Sequence, residues 1–256
     1  MSFWLSYGGG VNSTALAVMC INGSLPEYGE VKFIFSDTGN EKPETIRYIN
    51  KTFLPYLHEN GRDLITVRPK ETVLERWQRY EVTGSRVRRD CTDHGKIRPI
   101  MEYIKTIDDN PEQLIGIDAG ESHRAKPANK KKKDFPKHYP LVSHGIDRRK
   151  CIDIIKSAGI CVPVKSGCWH CPFMRVKEIL ELAKNNRKMF DKIVQLESVS
   201  RSRLINSGGN IQNYYYQWRD RSATYWRDRA EQEAKQMIFN LEFDDIDPNI
   251  PCDCYD

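Results

Sequence analysis

The spacing of apolar positions changes period along the chain. Ser2–Tyr7 is a short apolar and aromatic run of strand length that stops at Gly8, Gly9 and Gly10. From Asn12 or Ser13 the pattern turns helical through Ala15, Leu16, Ala17, Val18 and Met19, so the segment reads as strand, glycine turn and helix. Val31–Phe35 predicts a second strand that ends in the polar run Ser36-Asp37-Thr38-Gly39, and Pro43 opens a helix towards His58. Leu64–Val67 and Gln113–Ile117 predict a third and a fourth strand, with helical stretches at Glu71–Tyr80 and Gly95–Ile107 between them. Strands alternating with helices give an α/β fold, a mostly parallel sheet with helices on both faces. No internal repeat interrupts it.

Beyond Ile117 the pattern changes. Gly116–Arg124 is a polar strand exit, and residues 126–137 carry the lysine run Lys130–Lys133 between prolines, which reads as a solvated surface loop or as a lid that contacts phosphate. A helix from Asp147 to Ala158 leads into a cysteine-rich segment, a helical C-terminal region from Arg175 to about Phe239, and an acidic tail, Asp244–Asp256. We expect a nucleotide-binding α/β domain over 1–145, with the cysteine-rich segment and helical region over 146–256.

Composition narrows the class. A chain of 256 residues with 39% hydrophobic and 29% charged residues can bury a substantial core and belongs with globular proteins. The longest apolar run, Ala15–Ile21, falls far short of the ~18 residues that span a bilayer. The N-terminus has no basic segment ahead of an apolar one, so a cytoplasmic location is expected and structural disulfides are not. A net charge of +5 favours an anionic partner, either a nucleotide or a nucleic acid.

Two clusters carry candidate chemistry. Gly8, Gly9 and Gly10 allow a ligand close to the backbone, and the amides of the following helix, with the Ser13 and Thr14 hydroxyls, suit a phosphate; no Gly-Lys-Ser/Thr follows, which excludes a Walker loop. Of eight cysteines, Cys151, Cys161, Cys168 and Cys171 crowd into one short stretch, and four thiolates select zinc or an iron-sulfur cluster. Cys252 or Cys254 could supply one ligand instead of Cys161. Cys20 reads as core, and Cys91 as a packing residue or a reactive thiol. Tyr214–Arg219 and Tyr225–Arg227 interleave rings and arginines; we read them as packing, with base stacking as the alternative.

Three motifs stand in order: Ser6-Tyr-Gly-Gly-Gly-Val-Asn-Ser-Thr14, Phe35-Ser-Asp-Thr-Gly-Asn-Glu-Lys-Pro-Glu-Thr45 and Arg89-Asp-Cys-Thr-Asp-His-Gly-Lys96. Together they resemble the phosphoadenosine phosphosulfate (PAPS) reductase-like family of the adenine nucleotide alpha hydrolases, the PP-loop ATP pyrophosphatases. The resemblance runs on through Gly116–Arg124, Tyr139-Pro-Leu141, Arg149-Lys-Cys151 and Lys165–Phe173.

The resemblance implies a Rossmann-like sheet and ATP held by Gly8, Gly9, Gly10, Asn12, Ser13 and Thr14. It places Asp37, Thr38 and Gly39 near the adenosine, and Arg89, Lys96 and Arg124 as phosphate-directed cations. If magnesium participates, Asp37 is a candidate ligand, against its ordinary role as a loop cap. The loop departs from the common Ser-Gly-Gly-Lys-Asp-Ser form: Gly8 stands for the serine, Val11 for the lysine and Asn12 for the aspartate, and Ser6 is the candidate replacement hydroxyl. Iron-sulfur proteins in the same superfamily, DNA phosphorothioation enzymes among them, tilt the cysteine site towards a [4Fe-4S] cluster over zinc.

The implied activity is activation of an acceptor by adenylation with release of pyrophosphate, for sulfur transfer to a nucleic acid, a nucleotide-derived substrate or a small-molecule acceptor. The alternatives are a sulfonucleotide reductase, although the C-terminal Glu-Cys-Gly-x-His motif is missing, and a nucleotide-sensing or nucleic-acid-binding module without catalysis.

Overall fold

The computed structural model describes residues 2–84, 90–125, 135–218 and 221–243. Contacts divide the chain into two compact units: Met1–Tyr80 with Val87–Cys171, and Glu81–Arg86 with Pro172–Asp256.

In the first unit, β1 (Ser2–Tyr7) is followed by α1 (Val11–Ile21), β2 (Val31–Ser36), α2 (Pro43–Tyr48), a π turn at Ile49–Phe53, α3 (Leu54–Glu59) and β3 (Leu64–Val67). Next come α4 (Val73–Arg79), α5 (Asp90–Thr92), a second π turn at Asp93–Ile97, α6 (Arg98–Lys105) and β4 (Pro111–Ile115). β5 (Lys137–His138), α7 (Pro140–Ser143) and α8 (Arg148–Ser157) complete it. The sheet has the order β3-β2-β1-β4-β5, and every pairing is parallel. β4 begins two residues earlier than its hydrophobic pattern predicts, and β5 is too short to leave a period in the sequence.

The central strand sorts its side chains by the alternation of a pleated sheet. Leu5 and Tyr7 enter the larger core with α1 residues Ala15, Leu16 and Met19, with Phe53 and Leu57, and with Cys151 and Ile155 of α8. Trp4 points the other way, into a smaller core with Ile34, Ile100, Ile104 and Phe135. Both faces are therefore covered, which is why β1 and β2 read as nearly continuous apolar runs. β2 and β4 flank β1 on either side, so the strand order reverses there, the place where open parallel sheets commonly bind ligands at their carboxyl ends. No helix is long and apolar enough to cross a membrane among the described residues.

The second unit is helical, with α9 (Val176–Asn185), α10 (Arg187–Asn206) and α11 (Ala223–Phe243). Trp218 is fully buried against Phe190, and Trp226 is buried as well, so the packing reading holds for these rings. Tyr215 is exposed. The buried Glu197 of α10 accepts the backbone N–H of Gln217 (2.8 Å) and of Ala223 (2.7 Å), which pins the 214–223 loop and caps the start of α11.

Burial pushes the Glu197 carboxyl up to about 7, against the pull of those two N–H groups. A folded-state value above the unfolded one means that the folded unit binds more protons between pH 4.5 and 7, so the contribution of this group to stability falls as pH rises through that window. Replacing Glu197 with Gln removes this dependence. The stability difference between wild type and Glu197→Gln, measured by denaturant unfolding, should move against the wild type by roughly 1–3 kcal/mol between pH 5 and 8. A difference independent of pH would refute the assignment.

Candidate functional site

β1 ends at Tyr7 and α1 starts at Val11, so three glycines make the whole connection. Gly9 adopts a left-handed φ of 67°, and a Cβ there would lie 2.8 Å from Thr45 Cγ2. Ser13 closes the turn. Its Oγ accepts the N–H of Gly8 (3.2 Å) and of Gly10 (3.3 Å) and donates to the Gly10 carbonyl (3.0 Å). The first turn of α1 contains no acidic residue, so its amides face no competing carboxylate.

The loop is also crowded from behind. A Cβ on Gly116, just beyond β4, would lie 2.8 Å from Ser13 N and 2.9 Å from Ser13 Cα. Only a residue without a side chain lets the strand exit lie this close to the backbone at the start of α1.

The remaining expected phosphate-loop residues serve the scaffold. Thr14 Oγ1 donates to the Gly10 carbonyl (2.9 Å) and shares a hydrogen bond with Tyr7 Oη (3.1 Å), whose ring stacks on Phe53. Ser6 Oγ accepts a long hydrogen bond from Gln113 Nε2 (3.4 Å). Asn12 is buried, donates through Nδ2 to Asp118 Oδ2 (2.9 Å) and accepts through Oδ1 from Arg148 Nη1 (2.9 Å).

After β2, Asp37 caps the turn by accepting the Gly39 N–H (2.9 Å) and pairs with Arg68 through its other oxygen (2.8 Å). Both carboxylate oxygens are thus engaged, and the loop-cap role describes Asp37 better than metal ligation. Thr38 turns away from the crevice towards the cysteine segment: its Oγ1 donates to Glu41 Oε1 (3.1 Å) and lies 3.5 Å from Cys168 Sγ. Gly39 has φ 71° and packs on Thr72.

The cysteine segment lies along this loop. Glu41 and Cys168 form an antiparallel bridge, Lys42 N donates to the Gly167 carbonyl (2.9 Å), and Trp169 N donates to the Asn40 carbonyl (3.1 Å). Cys171 N then turns back onto the Cys168 carbonyl (3.1 Å). Ser166 reaches the glycine loop itself, because a Cβ on Gly10 would meet its Oγ at 2.8 Å. One short segment therefore touches both the glycine turn and the β2 exit.

Glu41 is the centre of this arrangement. Its side chain is fully buried, and Oε1 takes Lys96 Nζ (2.9 Å), Thr38 Oγ1 and, at 3.8 Å, Cys168 Sγ, while Oε2 has no hydrogen-bond partner. Burial and then the Glu41 carboxylate push the Cys168 thiol up to about 12, against Lys96. Burial alone would lower the Lys96 pKa, but Glu41 and the two thiols outweigh it and hold the ammonium above its ordinary value. The Cys91 thiol is raised by burial, Asp90 and Cys171, which places it electrostatically beside the pair. Burial between Trp77 and Trp169 lowers His170 to about 4, so its ring is neutral at pH 7.

The structure brings Cys168 and Cys171 together and places the other two expected ligands elsewhere. Cys151 faces inward on α8 within the apolar core, where burial pushes its thiol up to about 12. Cys161 follows α8 in an exposed stretch, where its carbonyl accepts the Tyr48 hydroxyl. The four-thiolate set is therefore not assembled, and among the described residues no group of three His, Cys, Asp or Glu side chains is placed to hold a metal. The residues present do not fit the expected cluster site. Arg89, Lys130–Lys133, Cys252 and Cys254 lie outside the described residues. Of the expected cations, Lys96 is bound to Glu41, and Arg124 pairs with Glu121 on its own short turn.

Two residues that matter here went unmarked in the sequence. Glu41 sits inside a quoted motif, but nothing in its spacing shows that it is buried. Arg148 reaches Asn12 from 136 positions away, a pairing that no local pattern contains.

A substitution at Gly116 tests the geometry. Gly116→Ala forces backbone apart at the start of α1, which should destabilise the protein by about 1–3 kcal/mol. It should also lower affinity for any phosphate ligand of the loop, whereas Gly23→Ala, where nothing lies within 4 Å, should spare that affinity. Equal ligand affinity in wild type and Gly116→Ala would show that the loop does not need this contact. Likewise, Glu41→Gln should bring the Cys168 thiol pKa down from about 12, read as faster alkylation at pH 8 to 9. An unchanged alkylation profile would dissociate the carboxylate from the thiol.

Residues 2–156 match the phosphoadenosine phosphosulfate reductase domain. Among solved structures, the chain is similar to a phosphoadenylyl-sulfate (PAPS) reductase from Candida auris in a phosphate complex, at 16% identity and a TM-score of 0.48, covering 66% of this chain and 82% of that one. It is also similar to the U34-tRNA thiolase NcsA from Methanococcus maripaludis with its [4Fe-4S] cluster, at 13% identity and a TM-score of 0.47, covering 92% and 72%. A search of curated proteins gives no match. The family match spans more than half of the sequence, over the same β1 to α8 segment that builds the glycine loop and its crevice, and the chain belongs to the phosphoadenosine phosphosulfate reductase domain family.

Proposed function

We propose that the protein is a PP-loop enzyme that binds ATP at Gly8–Ser13, transfers AMP to an acceptor with release of pyrophosphate, and passes sulfur to the activated carbon. The observation that carries this reading is the direct contact of the cysteine segment with the phosphate loop through Ser166 and Gly10, which puts a thiol pair next to the nucleotide site.

The chemistry follows from what these groups can do. An acceptor oxygen attacks the α-phosphorus, the bond to the β-phosphate oxygen breaks, and pyrophosphate leaves; AMP on the acceptor is then displaced by a sulfur nucleophile. The N-terminus of α1 stabilises the charge on the phosphates, while Ser13 Oγ, holding the Gly8 and Gly10 amides, fixes the shape of the loop. The sulfur nucleophile is a sulfide-level external donor such as hydrosulfide, which forms the carbon–sulfur bond as the bond to AMP breaks; among the described residues Cys168 and Cys171 are the thiols beside the loop, and Glu41 with Lys96 fixes the Cys168 thiol in place. The acceptor class is a nucleic acid or a nucleotide-derived small molecule, in keeping with the net charge of +5.

The family match itself favours a second reading, a sulfonucleotide reductase acting on PAPS. Calorimetry with ATP, AMP and PAPS, together with pyrophosphate release measured with tRNA, DNA and small acceptors, separates the two. ATP should bind and pyrophosphate should appear only with an acceptor. A strong preference for PAPS over ATP would establish the reductase reading, and saturable ATP binding without turnover under every acceptor and sulfide condition would point to a sensor.

The cysteine geometry yields its own expectation. Any iron or zinc retained by protein purified without oxygen should be lost from Cys168→Ser and from Cys171→Ser, and kept by Cys151→Ser and Cys161→Ser. Metal loss in all four variants would restore the four-thiolate site.

A further inference from the structure

We propose that Arg148 supplies the phosphate-binding positive charge that the glycine loop of this chain lacks, and that Asn12 holds it there. The inference rests on the reading that Gly8–Ser13 binds an adenine nucleotide, and it names the cation that this site uses.

The loop carries no cation of its own. Val11, in the lysine position of the common loop, is buried in the apolar core. Among the described residues, three cations of this unit are each paired with a carboxylate: Lys96 with Glu41, Arg124 with Glu121 and Arg68 with Asp37. Arg148 differs from all of them. It is exposed, it stands in the first turn of α8, and among the described residues it has no carboxylate partner. Its Nη1 donates to Asn12 Oδ1 at 2.9 Å, so one of five N–H donors fixes the guanidinium at the start of α1 while four remain to meet a ligand.

The identity of residue 12 completes the argument. Asn12 Nδ2 donates to Asp118 Oδ2 at 2.9 Å, and Asp118 is itself fixed by accepting the Glu121 N–H (3.1 Å). An amide can donate to Asp118 and accept from Arg148 at the same time. An aspartate at position 12 would face Asp118 with like charge and would neutralise Arg148. The loss of a lysine at position 11 and of an aspartate at position 12 is therefore one coupled change: the positive charge moves from the loop to α8, and the group that would have paired with it becomes neutral.

The test compares ligands with and without phosphates. Calorimetry with ATP, AMP and adenosine is run on wild type, Arg148→Ala, Arg148→Lys and Asn12→Asp, each checked for an unchanged melting temperature. Arg148→Ala should weaken ATP binding about ten- to a hundredfold, leave adenosine within about twofold, and flatten the salt dependence of ATP affinity. Arg148→Lys should recover part of the loss, and Asn12→Asp should weaken ATP although the arginine is intact. ATP affinity in Arg148→Ala equal to wild type would overturn the inference while leaving the nucleotide site standing. Equal losses for ATP and adenosine would also overturn it, because they describe a structural tie between α8 and α1. If Arg148→Ala does not fold, Arg148→Lys and Asn12→Asp decide alone, and wild-type ATP affinity in both would refute it. Wild-type protein that binds none of the three ligands overturns both the inference and the reading beneath it.

Discussion

The turn from the central strand into the first helix must be made in three residues, and this constraint governs the site. Tyr7 is fixed in the sheet and by its stack on Phe53, and Val11 is already helical and buried. The chain between them can close only through a left-handed Gly9 and through Ser13, whose hydroxyl satisfies two loop amides at once. Everything around the loop is shaped to that path. Thr45 packs against Gly9, Ser166 against Gly10, and the strand exit at Gly116 against Ser13, each where an added Cβ would collide. A loop so enclosed has little freedom to reorganise when a ligand arrives, which is the condition under which fixed dipoles stabilise charge well.

A buried charge organises the other side of the crevice. Glu41 would be costly in the interior without Lys96, and a carboxylate paired on one oxygen still leaves its second oxygen without a partner. That cost is set against the ordering of three elements, since the same carboxylate collects Thr38 from the β2 exit, Lys96 from the second π turn and Cys168 from the distant cysteine segment. The backbone bridge between Glu41 and Cys168 does the same work at the level of the main chain. A cysteine-bearing segment thus stands beside the glycine loop although more than 150 residues separate them in sequence.

The scaffold and the site follow different rules within this unit. Sheet order and coverage are set by apolar surface, which is why Cys151, lying on the inward face of α8, behaves as a small hydrophobe and not as a ligand. Asn12, Asp118 and Arg148 form a polar chain at the edge of that same α1 and α8 packing, and there the Asn12 amide has one specific partner for each end. Non-directional burial brings the two helices together, and the directional chain then decides where one guanidinium is held.

The sequence by itself determined most of the elements and the parallel class of the sheet, though not the exact start of β4 or the existence of β5. β1, β2 and β3 fall where the apolar runs place them, α1 and α8 start within a residue or two of their polar signals, and the glycine triplet marks the turn between β1 and α1, because hydrophobic period and backbone freedom are local properties of consecutive residues. Tertiary structure alone decided which side chains meet. Four cysteines crowded in sequence separate into a core residue, an exposed one and a pair, because a helix of about three turns carries Cys151 inward and the chain after it runs back along the β2 exit. The partners of Glu41 and of Arg148 come from segments far apart in the chain, and pairing at that distance depends on how the elements pack, which no local pattern encodes.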